Sequence, residues 1–114
     1  MAVGGERDEV LQGTLDMLVL KALQVESMHG WGITERIERW SAHALKLGQG
    51  TLYTALYRLE HQGMITSRWK LTENKRRARY YSLTAAGRAR FAADVDYWER
   101  LSRAINLVLR ATSA

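Results

Sequence analysis

The residues with the clearest chemical capacity are cations that crowd into one part of the chain. Between Arg68 and Arg90 there are eight Lys or Arg residues and a single acid, Glu73. Guanidinium and ammonium groups at this density bind phosphate oxygens, and such contacts hold a protein on a nucleic-acid backbone. A merely solvated loop is the alternative, since charge runs often form exposed faces without a ligand. The residues predicted to contact the nucleic acid, at its backbone or in its minor groove, are Asn74, Lys75, Arg76, Arg77 and Arg79.

A second candidate set precedes the cations, on a segment with helical spacing. Leu52, Leu56 and Leu59 recur at helical intervals and predict a buried stripe, with Ala55 beside them. The opposite face of such a helix can reach base edges in the major groove, where the guanidinium of Arg58 can bond both acceptors of guanine. An ordinary exposed arginine is the alternative for this residue. The predicted outer face carries Gly50, Thr54, Tyr57, Arg58 and His61, and Thr51 is a further candidate for groove contact.

A hairpin of two strands would carry the cations beside this helix. Residues 64–69 and 79–83 are rich in aromatic and β-branched side chains, and Glu73-Asn74 is the best turn signal between them. Gly63 fits a left-handed cap that ends the helix before the first strand. A helix followed by a hairpin with a cationic tip is the order of a winged helix-turn-helix, in which a helix enters the major groove and the tip grips the backbone. The predicted fold class is therefore mainly α with a small β-hairpin.

Two earlier helices complete the predicted domain. Apolar residues at helical spacing predict one helix over residues 8–25 and a second over about 31–42, with a break at Met28-His29-Gly30. The third helix would begin after Gly48, a small N-cap. The second helix is expected to carry Ile33, Ile37 and Trp40 on one face. Core or hinge packing is the role expected for three tryptophans, Trp31, Trp40 and Trp69. The predicted organisation is a loose tail at 1–7, a winged-helix domain at 8–83 and a dimerisation helix at 84–114.

The C-terminal helix carries a long apolar stripe. Thr84 is a natural N-cap, and the helix is predicted to run towards Arg110. A stripe this long at the edge of a small domain is better buried against a copy of itself, so we expect a homodimer. The alternative is a helix that folds back onto its own domain. The predicted interface consists of Phe91, Val95, Trp98, Leu101, Ile105 and Val108.

Composition narrows the remaining functions. The 114 residues suffice for one domain, and a formal charge of +5 favours a polyanionic partner. There is no cysteine, and the histidines lie in separate segments without carboxylates at ligand spacing, so we expect neither a metal site nor a cofactor. His29 is interpreted as a turn residue whose imidazole makes a structural hydrogen bond.

No nucleophile, base and acid occur in a catalytic pattern, so we predict that the protein is not an enzyme. The sequence contains neither an apolar span nor an export signal, which makes the cytoplasm the expected location.

The ordered set of motifs over about residues 10–90 resembles the PadR-like family of transcriptional regulators, and most closely its subfamily with a short C-terminal helix. The motifs are Leu15-Asp-Met-Leu-Val-Leu-Lys-Ala-Leu23, His29-Gly30, Gly50-Thr-Leu-Tyr53, Leu56-Tyr-Arg-Leu-Glu60, Gly63-Met-Ile65, Arg76-Arg77, Tyr80-Tyr-Ser-Leu-Thr84 and Gly87-Arg88. Two positions depart from the family pattern. Many relatives have proline where this chain has Thr54, and their wing tip often contains glycine where this chain has Glu73-Asn74.

The resemblance implies a bacterial, dimeric repressor with an N-terminal winged helix, acting on genes for transporters or stress responses. It also implies that a small aromatic or amphipathic compound can release the protein from DNA. Tyr53 matches a tyrosine that contacts the DNA backbone in relatives, and half-buried packing is its alternative role. The candidate recognition set is then Gly50, Thr51, Tyr53, Thr54, Tyr57 and Arg58. Two-fold symmetry predicts an inverted-repeat operator in double-stranded DNA, with half-sites about one helical turn apart.

Several assignments stay open at the level of sequence. Trp98 lies where an aromatic residue lines a ligand pore in some relatives, and packing in the interface core is the alternative. Tyr80 and Tyr81 point to opposite faces of a strand, so one is expected in the core and the other towards the nucleic acid. A winged helix that binds RNA or a protein partner is the alternative function, because aromatic residues beside cations also suit single strands.

Overall fold

The chain folds as four helices and a small antiparallel sheet in the part that the structure describes. The structure is a computed structural model, which describes the backbone of residues 7–113 and the side chains of residues 13–113. The helices are α1 (Arg7–Val25), α2 (Gly30–Trp40), α3 (Gln49–His61) and α4 (Ala85–Leu109), and the strands are β1 (Met28–His29), β2 (Ile65–Leu71) and β3 (Arg77–Leu83). The predicted fold class, mainly α with a small hairpin, is confirmed. The predicted tail lies outside the described residues except for Arg7, where α1 begins.

The sheet has a third strand that the sequence analysis did not predict. Met28 pairs with Tyr81 and His29 with Tyr80, which gives the strand order β1-β3-β2. The break predicted after α1 is therefore also a short edge strand. Two residues carry too little periodicity to indicate a strand, and their pairing depends on partners about 50 positions away in the chain.

The second helix is shorter than predicted because the backbone turns sharply after it. Helix α2 ends at Trp40, and Ala42 and His43 have φ angles of 53° and 65°. Two successive residues in the left-handed region cannot continue a right-handed helix. The chain then reaches Gly48, which caps α3 at the predicted position.

The core confirms the predicted stripe of α3 and corrects the tryptophans. Leu52, Ala55, Leu56 and Leu59 are all buried, as are Ile33 and Ile37 of α2. By contrast, the side chains interpreted as core or hinge packing are 64%, 46% and 55% exposed, for Trp31, Trp40 and Trp69 respectively. That interpretation was wrong. The indole of Trp40 lies on the surface, with the guanidinium carbon of Arg36 5.3 Å from its ring centre.

The hairpin leaves α3 through the predicted glycine cap. Gly63 has a φ of +79°, its amide donates to Glu60 O, and the amide of Met64 donates to Leu59 O. This pair of bonds is a Schellman motif, which satisfies the last carbonyls of the helix. The hairpin then extends further than predicted, and Lys75 N donates to Thr72 O across the predicted Glu73-Asn74 turn.

The last helix begins at the predicted cap and is bound closely to the base of the β2–β3 hairpin, which we call the wing. Thr84 Oγ1 accepts a hydrogen bond from Gly87 N at 3.0 Å. Gly87 is buried against the carbonyl oxygen of Met64, so a side chain larger than hydrogen would collide with backbone at this position. None of the helices within residues 7–113 combines the length and the apolar content that a bilayer crossing requires.

Candidate nucleic-acid interface

The first turns of α3 present polar and aromatic side chains to solvent. Tyr57 is 75% exposed and Tyr53 is 48% exposed, although both stand on a helix whose opposite face is fully buried. Gly50, Thr51 and Thr54 are exposed beside them. The predicted outer face is thus accessible over its first two turns. An open face of this kind can approach base edges without unfolding any part of the core.

Tyr53 links α3 to the start of α2. A methyl group built on Gly30 would stand 2.6 Å from the hydroxyl of Tyr53, so the glycine leaves the space that the phenol fills. The ring is half-exposed while its hydroxyl end is held against this backbone. Tyr53 thus has the half-buried packing that was the alternative role, and the exposed part of its ring leaves the predicted DNA contact as a prediction.

The wing carries two arginines on one tryptophan. The guanidinium carbons of Arg77 and Arg79 lie 5.3 and 5.7 Å from the ring centre of Trp69. Arg79 Nε donates to Ser67 Oγ at 2.8 Å, and Ser67 Oγ donates to Glu60 Oε2 at 2.6 Å. Stacking and hydrogen bonding therefore orient the guanidinium of Arg79 before any ligand binds.

A cleft separates the wing from the starts of α2 and α3. Its volume is about 690 Å³, and Trp31, Tyr53 and Trp69 are the large aromatic residues on its walls, with Tyr81 at its base. Three arginines line it, Arg76, Arg77 and Arg79, and no Asp or Glu is among the lining residues. We call this feature the wing cleft. A cleft with several guanidinium groups and no carboxylate attracts anions such as phosphate.

Sequence reasoning missed the aromatic walls of the wing cleft. Trp31 and Trp69 were expected in the core, whereas they are exposed on either side of the cleft. One signal was available for Trp69, because it alternates with Arg68 and Lys70 in a strand that projects from a small domain. No comparable signal was available for Trp31, whose position depends on how α2 meets the wing.

The two adjacent tyrosines of β3 separate as strand parity requires. Tyr81 is 5% exposed, and burial of its hydroxyl raises the pKa of that group above its ordinary value. Tyr80 lies on the other face of the hairpin, where Lys70 Nζ is 4.8 Å from its ring centre and His29 meets it edge to face. Tyr81 is therefore the core residue of the pair.

Arg58 does not lie on the accessible face of α3. Its side chain is 22% exposed, and its guanidinium forms an ion pair with Asp16 of α1, a residue only 2% exposed. The helical angle had placed Arg58 beside Tyr57 and Thr54, and the structure corrects that placement. A guanidinium bound to a buried carboxylate is not available for a guanine edge, because breaking the pair would leave a buried charge without its partner.

His29 makes the predicted structural hydrogen bond. Its Nδ1 accepts from Gly32 N at 3.0 Å, which makes this histidine the N-cap of α2. Among the residues that the structure describes, no three His, Asp or Glu side chains come close enough together to hold a metal ion.

A buried three-helix core, an open helix face and a basic hairpin define a winged helix, the fold of many DNA-binding proteins. Residues 19–93 match the family model described as "Transcriptional regulator PadR-like family". The chain belongs to this family. The sequence resemblance is thereby confirmed, and the family is one of transcriptional regulators.

Individual relatives agree with the family assignment. The Mycobacterium tuberculosis protein called Transcriptional regulator Rv3488 is 35% identical over 78 residues, which cover 68% of this chain and 69% of that protein. A transcriptional regulator from Clostridium thermocellum has a similar structure, with a TM-score of 0.78 and 30% identity over 86% of this chain and 95% of its own. A PadR family transcription regulator from Clostridium difficile gives a TM-score of 0.74 at 25% identity, over 83% of this chain and 97% of its own.

Proposed function

We propose that the protein binds double-stranded DNA sequence-specifically as a homodimer and represses transcription. The observation that carries the proposal is the wing cleft beside the open face of α3. Bases would meet Gly50, Thr51, Thr54 and Tyr57, and the DNA backbone would follow the cleft past Tyr53 towards the cations of the wing. The wing contacts in this proposal are Asn74, Lys75, Arg76, Arg77 and Arg79. Arg58 is left out of the contact set because Asp16 holds it.

The exposed apolar residues of α4 support the proposed homodimer. Trp98, Ile105 and Val108 are 45%, 46% and 74% exposed, and Val95 and Leu101 are half-buried. Phe91 packs in part against the core of its own chain, so the proposed interface begins at Val95. Apolar side chains at heptad-like spacing over several turns form a stripe that is removed from water when a second helix packs on it.

The proposed repressor acts on transporter or stress-response genes through an inverted-repeat operator. A small aromatic or amphipathic effector would release it by favouring a different separation of the two α3 helices, which are the proposed recognition helices of the dimer. Trp98 would then either pack in the interface or line the effector site between the subunits. Its exposure on the isolated chain is compatible with both roles.

Fluorescence anisotropy with duplex DNA from upstream of the protein's own gene tests DNA binding. The variant Arg76→Ala/Arg77→Ala removes two wing cations, and Arg100→Ala/Arg103→Ala removes two exposed cations from α4 as the matched control. We expect selective binding whose affinity falls steeply as the salt concentration rises. The slope of log affinity against log salt concentration should be smaller by about two in the wing variant and little changed in the control. Equal affinity for the wing variant would contradict the role of the wing, and preference for single-stranded RNA would favour the RNA alternative.

Analytical ultracentrifugation tests the dimer. Ile105→Glu places a charge in the proposed interface, whereas Arg103→Glu changes the charge on the other side of the same helix. We expect a dimer for the natural chain and the control, and a monomer for Ile105→Glu. A natural chain that sediments as a monomer at micromolar concentration would exclude this mode of assembly.

A further inference from the structure

A carboxylate buried between three helices is the least expected polar group outside the wing cleft. Asp16 is 2% exposed and stands on α1 among buried apolar residues. Arg58 of α3 binds its Oδ1, and Arg90 Nη2 of α4 lies 3.6 Å from its Oδ2. One carboxylate therefore receives a guanidinium from the recognition helix and another from the C-terminal helix.

Arg90 extends this arrangement to the end of the recognition helix. Its Nη1 donates to Gln62 Oε1 at 3.3 Å, and Gln62 is the C-cap of α3. Its Nε donates to Asp94 Oδ2 at 3.2 Å, one turn further along α4. We call Asp16, Arg58, Gln62, Arg90 and Asp94 the Asp16 cluster. Each of the three helices around it contributes at least one charged or polar member.

The geometry of the Asp16 cluster restricts how the helices can move. Burial of a carboxylate is unfavourable unless its partners stay within hydrogen-bonding distance, and a guanidinium fork permits few orientations. Arg58 depends on this ion pair, because its side chain is mostly buried and its Nε, also buried, has no hydrogen-bond partner among the described residues. Rotation of α3 would break this ion pair and leave the buried carboxylate of Asp16 without its nearest partner.

We propose that Asp16, Arg58 and Arg90 are positioning residues that fix the direction of the recognition helix relative to α4. Helix α4 packs on α1 and β3. The Asp16 cluster adds a polar connection between the first turns of α4 and helix α3. The consequence for DNA rests on the proposed function. If α4 forms the dimer, the cluster sets the distance between the two recognition helices and thereby the preferred separation of half-sites.

Amide hydrogen exchange on the full chain tests the connection without DNA. Arg90→Met removes the guanidinium that α4 contributes and leaves the ion pair of Asp16 with Arg58 intact. The buried carboxylate of Asp16 therefore keeps one partner. Arg88→Met, at an exposed arginine two residues earlier, is the matched control. We expect exchange in the last turn of α3 to accelerate about tenfold in Arg90→Met, as local opening becomes easier, and to stay unchanged in the control. Unchanged exchange in α3, or a uniform increase throughout the chain, would overturn the proposal.

Operators with altered spacing separate a positioning role from a purely structural one. The natural chain should prefer one half-site separation over those that are one or two base pairs longer or shorter. Arg90→Met should reduce this preference at least threefold while retaining affinity for a single half-site, because only the relative placement of the helices is loosened. Retention of the full preference would contradict the proposal. Failure of the natural chain to bind any duplex selectively would refute the proposed function, whereas the exchange experiment would still test the cluster.

Discussion

The Asp16 cluster and the wing cleft use the same side chain for opposite purposes. In the Asp16 cluster, Arg58 and Arg90 end on a carboxylate that water hardly reaches. In the wing cleft, the guanidiniums of Arg77 and Arg79 lie over the ring of Trp69, and Arg79 also donates a hydrogen bond to the Ser67 hydroxyl. A carboxylate neutralises a guanidinium and uses its donors. An aromatic face orients a guanidinium without neutralising it, so the positive charge stays available to another partner.

The availability of a cation for a ligand therefore depends on its partners within the protein rather than on its position in a motif. Arg58 stands on the recognition helix, where base contacts are expected, yet its charge is used inside the protein. Arg79 stands on a hairpin strand and is oriented towards the wing cleft through Ser67. Substitutions in the Asp16 cluster should therefore change stability and geometry, whereas substitutions in the wing cleft should change affinity.

Removal of the buried carboxylate of Asp16 should change the stability of the protein more than any other substitution discussed below. Asp16→Asn should lower the free energy of unfolding by about 3 kcal/mol, because both guanidiniums lose their buried counter-charge. Urea denaturation at one fixed protein concentration measures this loss. Glu26→Gln is the control, since it removes a carboxylate that is 58% exposed and pairs with Arg36 at the surface, and it should cost less than about 1 kcal/mol. Similar losses in the two variants would remove the distinction between the cluster and an ordinary surface pair.

The next effect concerns one arginine of the wing cleft. Arg77→Met should weaken DNA binding about tenfold and reduce the slope of log affinity against log salt concentration by about one, because the variant lacks one of the proposed phosphate contacts. Its free energy of unfolding should stay within about 0.5 kcal/mol of the natural value. Arg100→Met removes an equal charge from α4 and should leave affinity unchanged. A large loss of stability in Arg77→Met would mean that the wing arginines are structural, like those of the Asp16 cluster.

A smaller effect concerns the backbone at the tip of the wing. Lys75 has a φ of 61°, a conformation in which glycine has no steric cost. Lys75→Gly should therefore stabilise the protein by about 1 kcal/mol while lowering DNA affinity through the lost charge. Lys75→Ala removes the same charge without relieving the backbone, so thermal denaturation of the two variants isolates the conformational part. Equal stability of the glycine and alanine variants would refute the assigned strain.

The smallest effect lies at the base of the wing cleft and appears only in alkaline solution. Burial raises the pKa of Tyr81, so the folded state favours the neutral phenol. The stability associated with this group is complete below its unfolded pKa of about 10 and is lost as pH rises through the folded value. Tyr81→Phe should make the unfolding free energy fall less steeply above pH 10 than in the natural chain. Tyr97→Phe, at an exposed position on α4, should not alter that slope.

Features encoded by local signals were predictable from the sequence. The buried stripe of α3, its glycine cap, the turn of the wing and the Thr84 cap each depend on residues within one or two turns of each other. Periodicity and capping chemistry are sufficient for such features. The candidate DNA-binding residues on the first turns of α3 and at the wing tip could also be selected in this way.

Features that depend on contacts between distant residues were not predictable in the same way. Strand β1 exists because of β3, and Arg58 is unavailable because Asp16 approaches it from a helix 42 residues earlier. A helical angle specifies a face but not what packs against it. One signal for the Asp16 cluster was present, since Asp16 interrupts the apolar stripe of α1 at spacings of three and four from Val19 and Leu20. An acid in such a stripe predicts a buried partner.

The two ends of the hairpin meet at a single point, where Ile65 pairs with Leu83 and the Thr84 hydroxyl donates to the carbonyls of Gly63 and Met64. The polypeptide enters and leaves the hairpin at nearly the same place, and these contacts hold its two ends together. Pairs of residues can therefore be inserted or deleted at the tip without changing the route from α3 to α4. The length and charge of this hairpin can therefore be exchanged as one unit while the connection from α3 to α4 stays constant.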